Sequence, residues 1–220
     1  MNRKKNIEKI LEIKGPLAEN EVKDLLNFFN IRTTNYKVIN NFKELDDLNI
    51  KFPMALKVCS RRILHKTDVG GVKLDIKNIE ELKKSFKEFK KRFPNEKFLI
   101  DQMEKKGVEI IIGLVQDATF GLSIMYGIGG IYTELYQDVS FRIVPIERYD
   151  AEQMVEEIKG KELLEGFRNI PANKKLVVDL LIKVSKIGNE LINYIDQMDL
   201  NPIFVYENDI CVVDAKLILK

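Results

Sequence analysis

The chain has 220 residues, of which 45% are hydrophobic, enough for one large domain or two small lobes around a buried core. Its 36 Lys and Arg residues nearly balance 34 Asp and Glu residues, and a net charge of +2 argues against a nucleic-acid binder that depends on bulk positive potential. A polar N-terminus, two cysteines far apart in sequence and the absence of a long apolar stretch predict a soluble protein of the cytoplasm.

In the first half of the chain, helical and extended patterns alternate. Apolar residues at helical spacing predict helices over 5–13, 19–30 and 79–93, with a helical turn at 43–48. Short apolar or alternating runs predict strands over 36–39, 52–59 and 72–76.

From residue 97 onward, strands dominate the pattern. We predict strands over 98–103, 108–115, 122–126, 132–136, 202–206 and 210–213, and helices over 151–166 and 174–194. The whole pattern predicts an α+β fold of two lobes, with the break in the region 95–105.

A glycine-containing loop joins the predicted strands that end at Cys59 and begin at Val72. The pair Gly70-Gly71 lets backbone N–H groups approach an anion closely, and nearby Lys57 and Lys66 supply positive charge. The segment is not a Walker loop, because no helix opens after it with Gly-Lys-Ser/Thr. Taken alone, Gly-Gly between two strands is also typical of a plain tight turn.

The chain contains a single histidine, His65, which lies in this polar loop. A neutral imidazole is nucleophilic near its unperturbed pKa of about 6.5 and can carry a phosphoryl group. Flanking cations and backbone amides would hold such a group. A lone histidine is otherwise usually an ordinary polar residue of the surface or core.

Two oxygen-bearing side chains flank the last predicted hairpin, whose turn is centred near Glu207-Asn208. If its strands pair in antiparallel fashion, Asn201 and Asp214 fall almost opposite each other, with Cβ atoms roughly 4.5–5.5 Å apart. One carboxylate and one amide oxygen form a plausible sparse ligand set for Mg²⁺, which takes water and phosphate oxygens as well. The alternative is an Asn-Pro strand entry and an Asp that ends a strand.

Several short motifs, in this order and spacing, resemble the β subunit of ADP-forming acetyl-CoA synthetases (acetate–CoA ligases). The ATP-grasp domain of that family is distantly related to the succinyl-CoA synthetase β subunit. The motifs are Ser60-x4-His65-Lys-Thr-Asp-Val-Gly-Gly-Val72, Gly107-Val-Glu109-Ile-Ile-Ile-Gly113, Phe120-Gly121, Gly127-Ile-Gly-Gly130, Asp138-Val-Ser-Phe-Arg142 and Asn201-Pro-Ile with Val-Asp214-Ala-Lys.

The resemblance implies one ATP-grasp domain over 1–220, whose two lobes enclose the nucleotide. The N-terminal lobe, 1–97, would carry the phosphate loop, and the C-terminal lobe, 98–220, the hinge and the metal site. His65 resembles a second phosphoryl carrier, which accepts phosphate from a histidine of a separate α subunit and passes it to ADP.

The same resemblance implies roles for further residues. Those that would bind the nucleotide are Lys57, Gly70 and Gly71 at the phosphates, the backbone of Asp101, Gln102, Met103 and Glu104 at adenine, and Glu109 at the ribose hydroxyls. Asn201 and Asp214 match the ligands of Mg²⁺, and Asp199 stands where the family usually has glutamate. Arg142 could clamp a phosphate or form a structural salt bridge with Glu134.

The resemblance implies the reaction acyl-CoA + ADP + phosphate ⇌ acid + CoA + ATP. No motif for CoA was found, so we assign this chain the nucleotide half, with Mg²⁺ and ATP or ADP, and expect a CoA-binding α subunit in an α2β2 heterotetramer. One alternative is an ATP-grasp carboxylate–amine ligase, which needs no histidine carrier. Another is a non-catalytic regulatory subunit that binds nucleotide.

Overall fold

A computed structural model describes residues 2–130, 138–166 and 170–220. The helices are α1 (Asn2–Leu11), α2 (Glu19–Phe28), α3 (Ile79–Arg92), α4 (Arg148–Glu157) and α5 (Lys174–Glu190), with 3-10 turns at Phe42–Leu45 and Lys159–Glu165. The strands are β1 (Gly15–Pro16), β2 (Tyr36–Ile39), β3 (Met54–Cys59), β4 (Val72–Ile76), β5 (Lys97–Gln102), β6 (Val108–Asp117), β7 (Gly121–Ile128), β8 (Val139–Ile143), β9 (Ile195–Val205), β10 (Ile210–Val212) and β11 (Ala215–Leu219).

The chain divides into two compact units. The small unit comprises Pro16–Glu21 and Thr34–Lys105, and the large unit comprises Met1–Gly15, Val22–Thr33 and Lys106–Lys220. The predicted lobes, 1–97 and 98–220, are a different partition, because α1 and most of α2 group with the large unit and β5 with the small one. The lobe boundaries therefore stay a prediction.

The small unit is a four-stranded antiparallel sheet in the order β2-β5-β3-β4, with α3 packed against it. All six residues of β3 are buried, as expected of a central strand between β5 and β4. Helix α3 is preceded by the N-cap residue Asn78, whose side chain accepts the N–H of Glu81. Its Phe86 ring meets the Phe98 ring of β5 edge-on, with the ring centroids 5.3 Å apart.

Among the described residues, the large unit contains an antiparallel sheet in the order β11-β9-β6-β7-β8, with β10 also paired to β9. Helices α4 and α5 pack against each other, and both contact β7. Gly188 allows the close approach of α5, because a Cβ atom there would lie 3.1 Å from side-chain atoms of Leu114 and Leu122.

The predicted α+β class is confirmed, and most predicted elements recur within a few residues of their expected bounds. Strands β1, β8 and β11 were not predicted, and β9 begins seven residues before the predicted strand 202–206. The predicted helix 151–166 is α4 followed by a separate 3-10 turn. The predicted strand 132–136 lies outside the described residues. Both cysteines are buried free thiols. Within the part of the chain that the structure describes, no helix has the length and apolarity needed to cross a membrane.

Candidate functional site

The predicted phosphate-binding lysine lies in a buried cluster of charges in the small unit. Lys57 Nζ, on β3, lies 2.7 Å from Glu19 Oε1 on α2 and 2.8 Å from Asp101 Oδ2 on β5. Lys66 Nζ contacts the other oxygen of Glu19, and the Thr34 hydroxyl donates to Asp101. Two cations and two carboxylates thus neutralise one another, which offsets the high cost of burying each of them.

This cluster defines what Lys57 can do chemically. Its side chain is 6% exposed, so its ammonium group is directed by the two carboxylates and does not extend into solvent. Phosphate oxygens are acceptors of the same kind as carboxylate oxygens. A nucleotide phosphate at Lys57 would therefore share or replace one of these two contacts.

The only histidine faces solvent. The side chain of His65 is 74% exposed, and its Nδ1 lies 3.9 Å from Asp68 Oδ2 in the same loop. The next residue, Lys66, is buried. The loop therefore presents an accessible imidazole immediately beside an inward-directed lysine, which suits a group that must reach a reaction partner.

The paired glycines close the loop on itself. The N–H of Gly70 donates to Thr67 O at 2.9 Å, and the N–H of Gly71 donates to Lys66 O at 2.6 Å. Gly70 has a φ of 60°, in the left-handed region that favours glycine. A Cβ atom at Gly71 would lie 3.0 Å from Val58 Cγ2. These two N–H groups stabilise the turn in this conformation, so their predicted use by an anion requires the turn to open.

Two surface ion pairs fix the start of the loop. Arg61 donates from Nε to Glu21 Oε2 at 2.9 Å and contacts the second oxygen through Nη2. Arg62 Nη2 lies 3.1 Å from Glu96 Oε1. Partial burial alone would raise the pKa of Glu21, but hydrogen bonds from Arg61 and the Ala18 N–H hold it below its usual value.

Two backbone N–H groups of the predicted hinge, 101–104, form hydrogen bonds within the small unit. The N–H of Gln102 donates to Asn35 O at 2.8 Å, and the N–H of Met103 donates to Pro53 O at 3.0 Å. An adenine contact through either N–H group would share or replace one of these bonds. The Asp101 side chain, in contrast, belongs to the buried charge cluster around Lys57.

In the large unit, the predicted ribose carboxylate lies against the glycine-rich segment 127–130. The N–H of Gly129 donates to Glu109 O at 2.7 Å. A Cβ atom at Gly129 would lie 3.1 Å from Glu109 Cβ, and one at Gly130 would lie 3.6 Å from Glu109 Oε2. The sequence pattern alone did not indicate what these glycines contact. Their small size lets the segment pass directly over the Glu109 backbone.

The two predicted metal ligands lie opposite each other on neighbouring strands. The register of β10 and β11 along β9 places Asp214 opposite Asn201, and the Asn201 N–H donates to Asp214 O at 3.1 Å. One Asp214 oxygen accepts the Ala215 N–H at 2.9 Å. Among the described residues, no group of three or more His, Cys, Asp or Glu side chains is arranged to hold a metal. Two oxygen donors fit an ion such as Mg²⁺, which takes its remaining ligands from phosphate and water.

A second carboxylate lies beside this pair. Asp199 Oδ2 is 3.8 Å from Lys216 Nζ, which lies across from it on β11. Burial raises the pKa of Asp199; Lys216 opposes that shift, and the negative charge of Asp214 adds to it. The negative charge of Asp214 therefore acts on Asp199, and a cation bound beside Asp199 would favour its ionised form.

Arg142 binds a residue that the sequence pattern did not identify. Its guanidinium pairs with both carboxylate oxygens of Glu157 on α4, one of them at 3.0 Å from Nη1. These hydrogen bonds raise the pKa of Arg142. The predicted partner Glu134 lies outside the described residues. Between described residues, Arg142 forms a salt bridge that joins β8 to α4.

The comparisons with known proteins agree with these motifs. A family model described as the ATP-grasp domain matches residues 11–219. The β subunit of acetate–CoA ligase (ADP-forming) II of Pyrococcus furiosus is 41% identical over 232 residues, which cover 98% of this chain and 97% of that protein. The chain belongs to the ATP-grasp β subunits of ADP-forming acetate–CoA ligases. The predicted family and ATP-grasp fold are confirmed.

Two further relatives of this β-subunit family are informative. Acetate–CoA ligase (ADP-forming) II of Archaeoglobus fulgidus is 40% identical over 92% of this chain, which matches only 30% of that protein. A structure of the dinucleotide-forming acetyl-coenzyme A synthetase 1 of Ca. Korarchaeum cryptofilum, with coenzyme A and Ca-AMPCP, has a TM-score of 0.89, 36% identity and coverage of 100% of both chains. Another structure of that synthetase, with coenzyme A and Mg-AMPPCP, has its phosphohistidine segment pointing towards the nucleotide-binding site. It matches this chain with a TM-score of 0.80 and 37% identity, over 93% of both chains.

Proposed function

We propose that this chain is the nucleotide-binding subunit of an ADP-forming acetyl-CoA synthetase, in which His65 and ADP exchange a phosphoryl group. The observation that carries the proposal is the exposure of the only histidine, 74% for its side chain, on a loop whose next residue is a buried lysine. The matched β subunit and the phosphohistidine segment named for the synthetase structure support it.

The transfer forms a bond between an imidazole nitrogen of His65 and phosphorus, and breaks the bond from that phosphorus to its previous oxygen. From ATP, the leaving group is ADP, so the nitrogen must be neutral to attack. In the direction of ATP synthesis, a terminal oxygen of ADP attacks phosphohistidine, and the imidazole leaves. Such transfers depend mainly on positioning and charge neutralisation.

The predicted nucleotide ligands would supply that positioning. In the small unit, Lys57 would bind the nucleotide phosphates, with Gly70 and Gly71 in the covering loop, and the segment 101–104 would contact adenine. In the large unit, Glu109 would accept hydrogen bonds from the ribose hydroxyls.

Mg²⁺ would be held by the Asn201 amide oxygen and the Asp214 carboxylate, which lie opposite each other on neighbouring strands. The ion supplies positive charge to the phosphate groups. A structural relative that contains Mg-AMPPCP supports the choice of this ion.

We further propose a CoA-binding α subunit as the partner, in an α2β2 heterotetramer of the cytoplasm. The support is the Archaeoglobus fulgidus relative, in which this chain matches 30% of a longer protein named for the whole ligase. The overall reaction is then acetyl-CoA + ADP + phosphate ⇌ acetate + CoA + ATP. The α subunit would form the acyl phosphate and choose the acyl group.

Labelling of the purified chain with γ-³²P-ATP and Mg²⁺ tests the histidine step. We expect acid-labile, base-stable phosphate in the wild type and in the control Asp68→Asn, and none in His65→Asn. Equal label in His65→Asn would refute the carrier role. A carboxylate–amine ligase would keep activity without His65, and a regulatory subunit would bind ADP without labelling. A wild type that labels only when an α subunit is added would show that the partner completes the site.

A further inference from the structure

One buried carboxylate joins two lysines that belong to different parts of the proposed reaction. Glu19 is 5% exposed. One of its oxygens lies 2.7 Å from Lys57 Nζ, and the other contacts Lys66 Nζ. Lys57 is the proposed phosphate ligand, and Lys66 follows His65 directly. Glu19 therefore contacts both the nucleotide site and the base of the histidine loop.

Lys66 anchors the loop on its buried side. Its side chain is 7% exposed, whereas that of His65 is 74% exposed. The Lys66 carbonyl also accepts the N–H of Gly71, which closes the loop. The Glu19 contact of the Lys66 ammonium group is therefore one of the contacts that hold the segment carrying His65.

A carboxylate between two ammonium groups uses the same contacts that a phosphate group would use. A phosphate carries more negative charge and more acceptor oxygens than a carboxylate, so it competes effectively for the same lysines. Lys57 keeps its second carboxylate, Asp101, when Glu19 is displaced. Displacement of Glu19 would therefore break its contact with Lys66 while Lys57 stays paired with Asp101.

We propose that Glu19 is a positioning residue, which holds the His65 loop at rest through Lys66 and competes with nucleotide phosphate for Lys57. The second part rests on the proposed function, because it requires that nucleotide phosphate binds at Lys57. The first part concerns the chain without nucleotide.

The test measures two quantities in the full chain, namely amide hydrogen exchange over residues 60–71 without nucleotide, and the Kd of ADP with Mg²⁺ by calorimetry. In Glu19→Gln, the amide side chain no longer holds Lys66 by charge. We expect exchange over 60–71 to accelerate by about tenfold or more, the factor that corresponds to 1.4 kcal/mol. We expect ADP to bind about threefold more tightly, because a neutral amide competes less well for Lys57.

The matched control is Glu21→Gln, which removes a carboxylate from the same turn of α2. Glu21 binds Arg61 at the start of the loop, and neither of its carboxylate oxygens contacts Lys57 or Lys66 in the described structure. The control should leave the Kd of ADP unchanged and alter exchange only near Arg61. If Glu19→Gln folds poorly, Glu19→Asp is the conservative variant. Aspartate keeps the negative charge but is one methylene too short to reach both lysines. Faster exchange over 60–71 and tighter ADP binding should therefore both recur in weaker form.

Unchanged exchange over 60–71 in both Glu19 variants would overturn the positioning role. Weaker binding of ADP would overturn the competition, since a residue that only supports Lys57 would give that result. A wild type that binds no ADP would refute the proposed function together with the competition. The exchange measurement would still decide whether Glu19 holds the loop.

Discussion

Replacement of Lys57 by methionine should destabilise the chain by about 3 kcal/mol, because it leaves buried carboxylates with too little positive charge. Breaking a buried ion pair by removal of one partner costs about 3–5 kcal/mol. Lys57 Nζ lies 2.7 Å from Glu19 and 2.8 Å from Asp101, and its side chain is 6% exposed. Lys66 remains on Glu19 and the Thr34 hydroxyl on Asp101, so the lower end of the range applies.

Urea unfolding followed by far-UV circular dichroism measures this loss. The control is Lys83→Met, which breaks an exposed pair with Asp46 and should cost no more than about 1 kcal/mol. Adding Asp101→Asn to Lys57→Met should recover part of the stability, because it removes a charge that has lost its partner. A free energy of unfolding for Lys57→Met within about 1 kcal/mol of wild type, on the scale of the surface control, would refute the electrostatic account of the cluster.

Three further predictions concern the large unit and the start of the histidine loop. Gly129→Ala should cost about 1–3 kcal/mol of unfolding free energy and weaken ADP binding, because the new Cβ would lie 3.1 Å from Glu109 Cβ; stability and ADP affinity equal to wild type would contradict the close packing. Arg142→Gln should leave the Kd of ADP unchanged and match Glu157→Gln in stability, as expected of a salt bridge; a roughly tenfold weaker Kd in Arg142→Gln alone would indicate a phosphate clamp. The folded state lowers the pKa of Glu21, so its contribution is present above the ordinary pKa of 4.5 and is lost as pH falls below that value. Urea midpoints measured from neutral to acidic pH should therefore decline less steeply in Glu21→Gln, and parallel profiles would contradict this assignment.

Local patterns were sufficient to predict most of the fold. The apolar Leu82, Phe86 and Phe89 were enough to predict α3 from the amino-acid sequence, because helical periodicity depends only on neighbours along the chain. The pairing of Asn201 with Asp214 was predictable for a similar reason, since the position of a hairpin turn sets the register of its strands.

Strands β8 and β11 were missed because their patterns depend on distant partners. The edge strand β8 pairs in the described structure with β7, and its Phe141 and Ile143 are 51% and 55% exposed. Its apolar residues therefore do not mark a buried face. Strand β11 follows Asp214 directly, and only Val213 and Asp214 separate it from β10.

The contacts of Glu19 with Lys57 and Lys66 were missed because these lysines are 38 and 47 residues away. An acidic residue in the first turn of a helix is common, because its negative charge interacts favourably with the positive end of the helix dipole. One sequence signal was available. Glu19 precedes Val22 by three residues and Leu26 by seven, so it lies on the same face of the helix as these two fully buried side chains. A carboxylate on the buried side of a helix needs a cation, and that requirement pointed to a lysine elsewhere in the chain.

The most direct test of the central claim is a chase of the labelled chain. Wild-type protein labelled with γ-³²P-ATP is freed of nucleotide and mixed with excess unlabelled ADP and Mg²⁺, and the products are separated by chromatography. We expect the label to leave His65 and to appear in ATP, in a step that needs no acyl substrate. Label that stays on the protein, or is released as inorganic phosphate at the same rate with and without ADP, would contradict phosphoryl exchange between His65 and ADP.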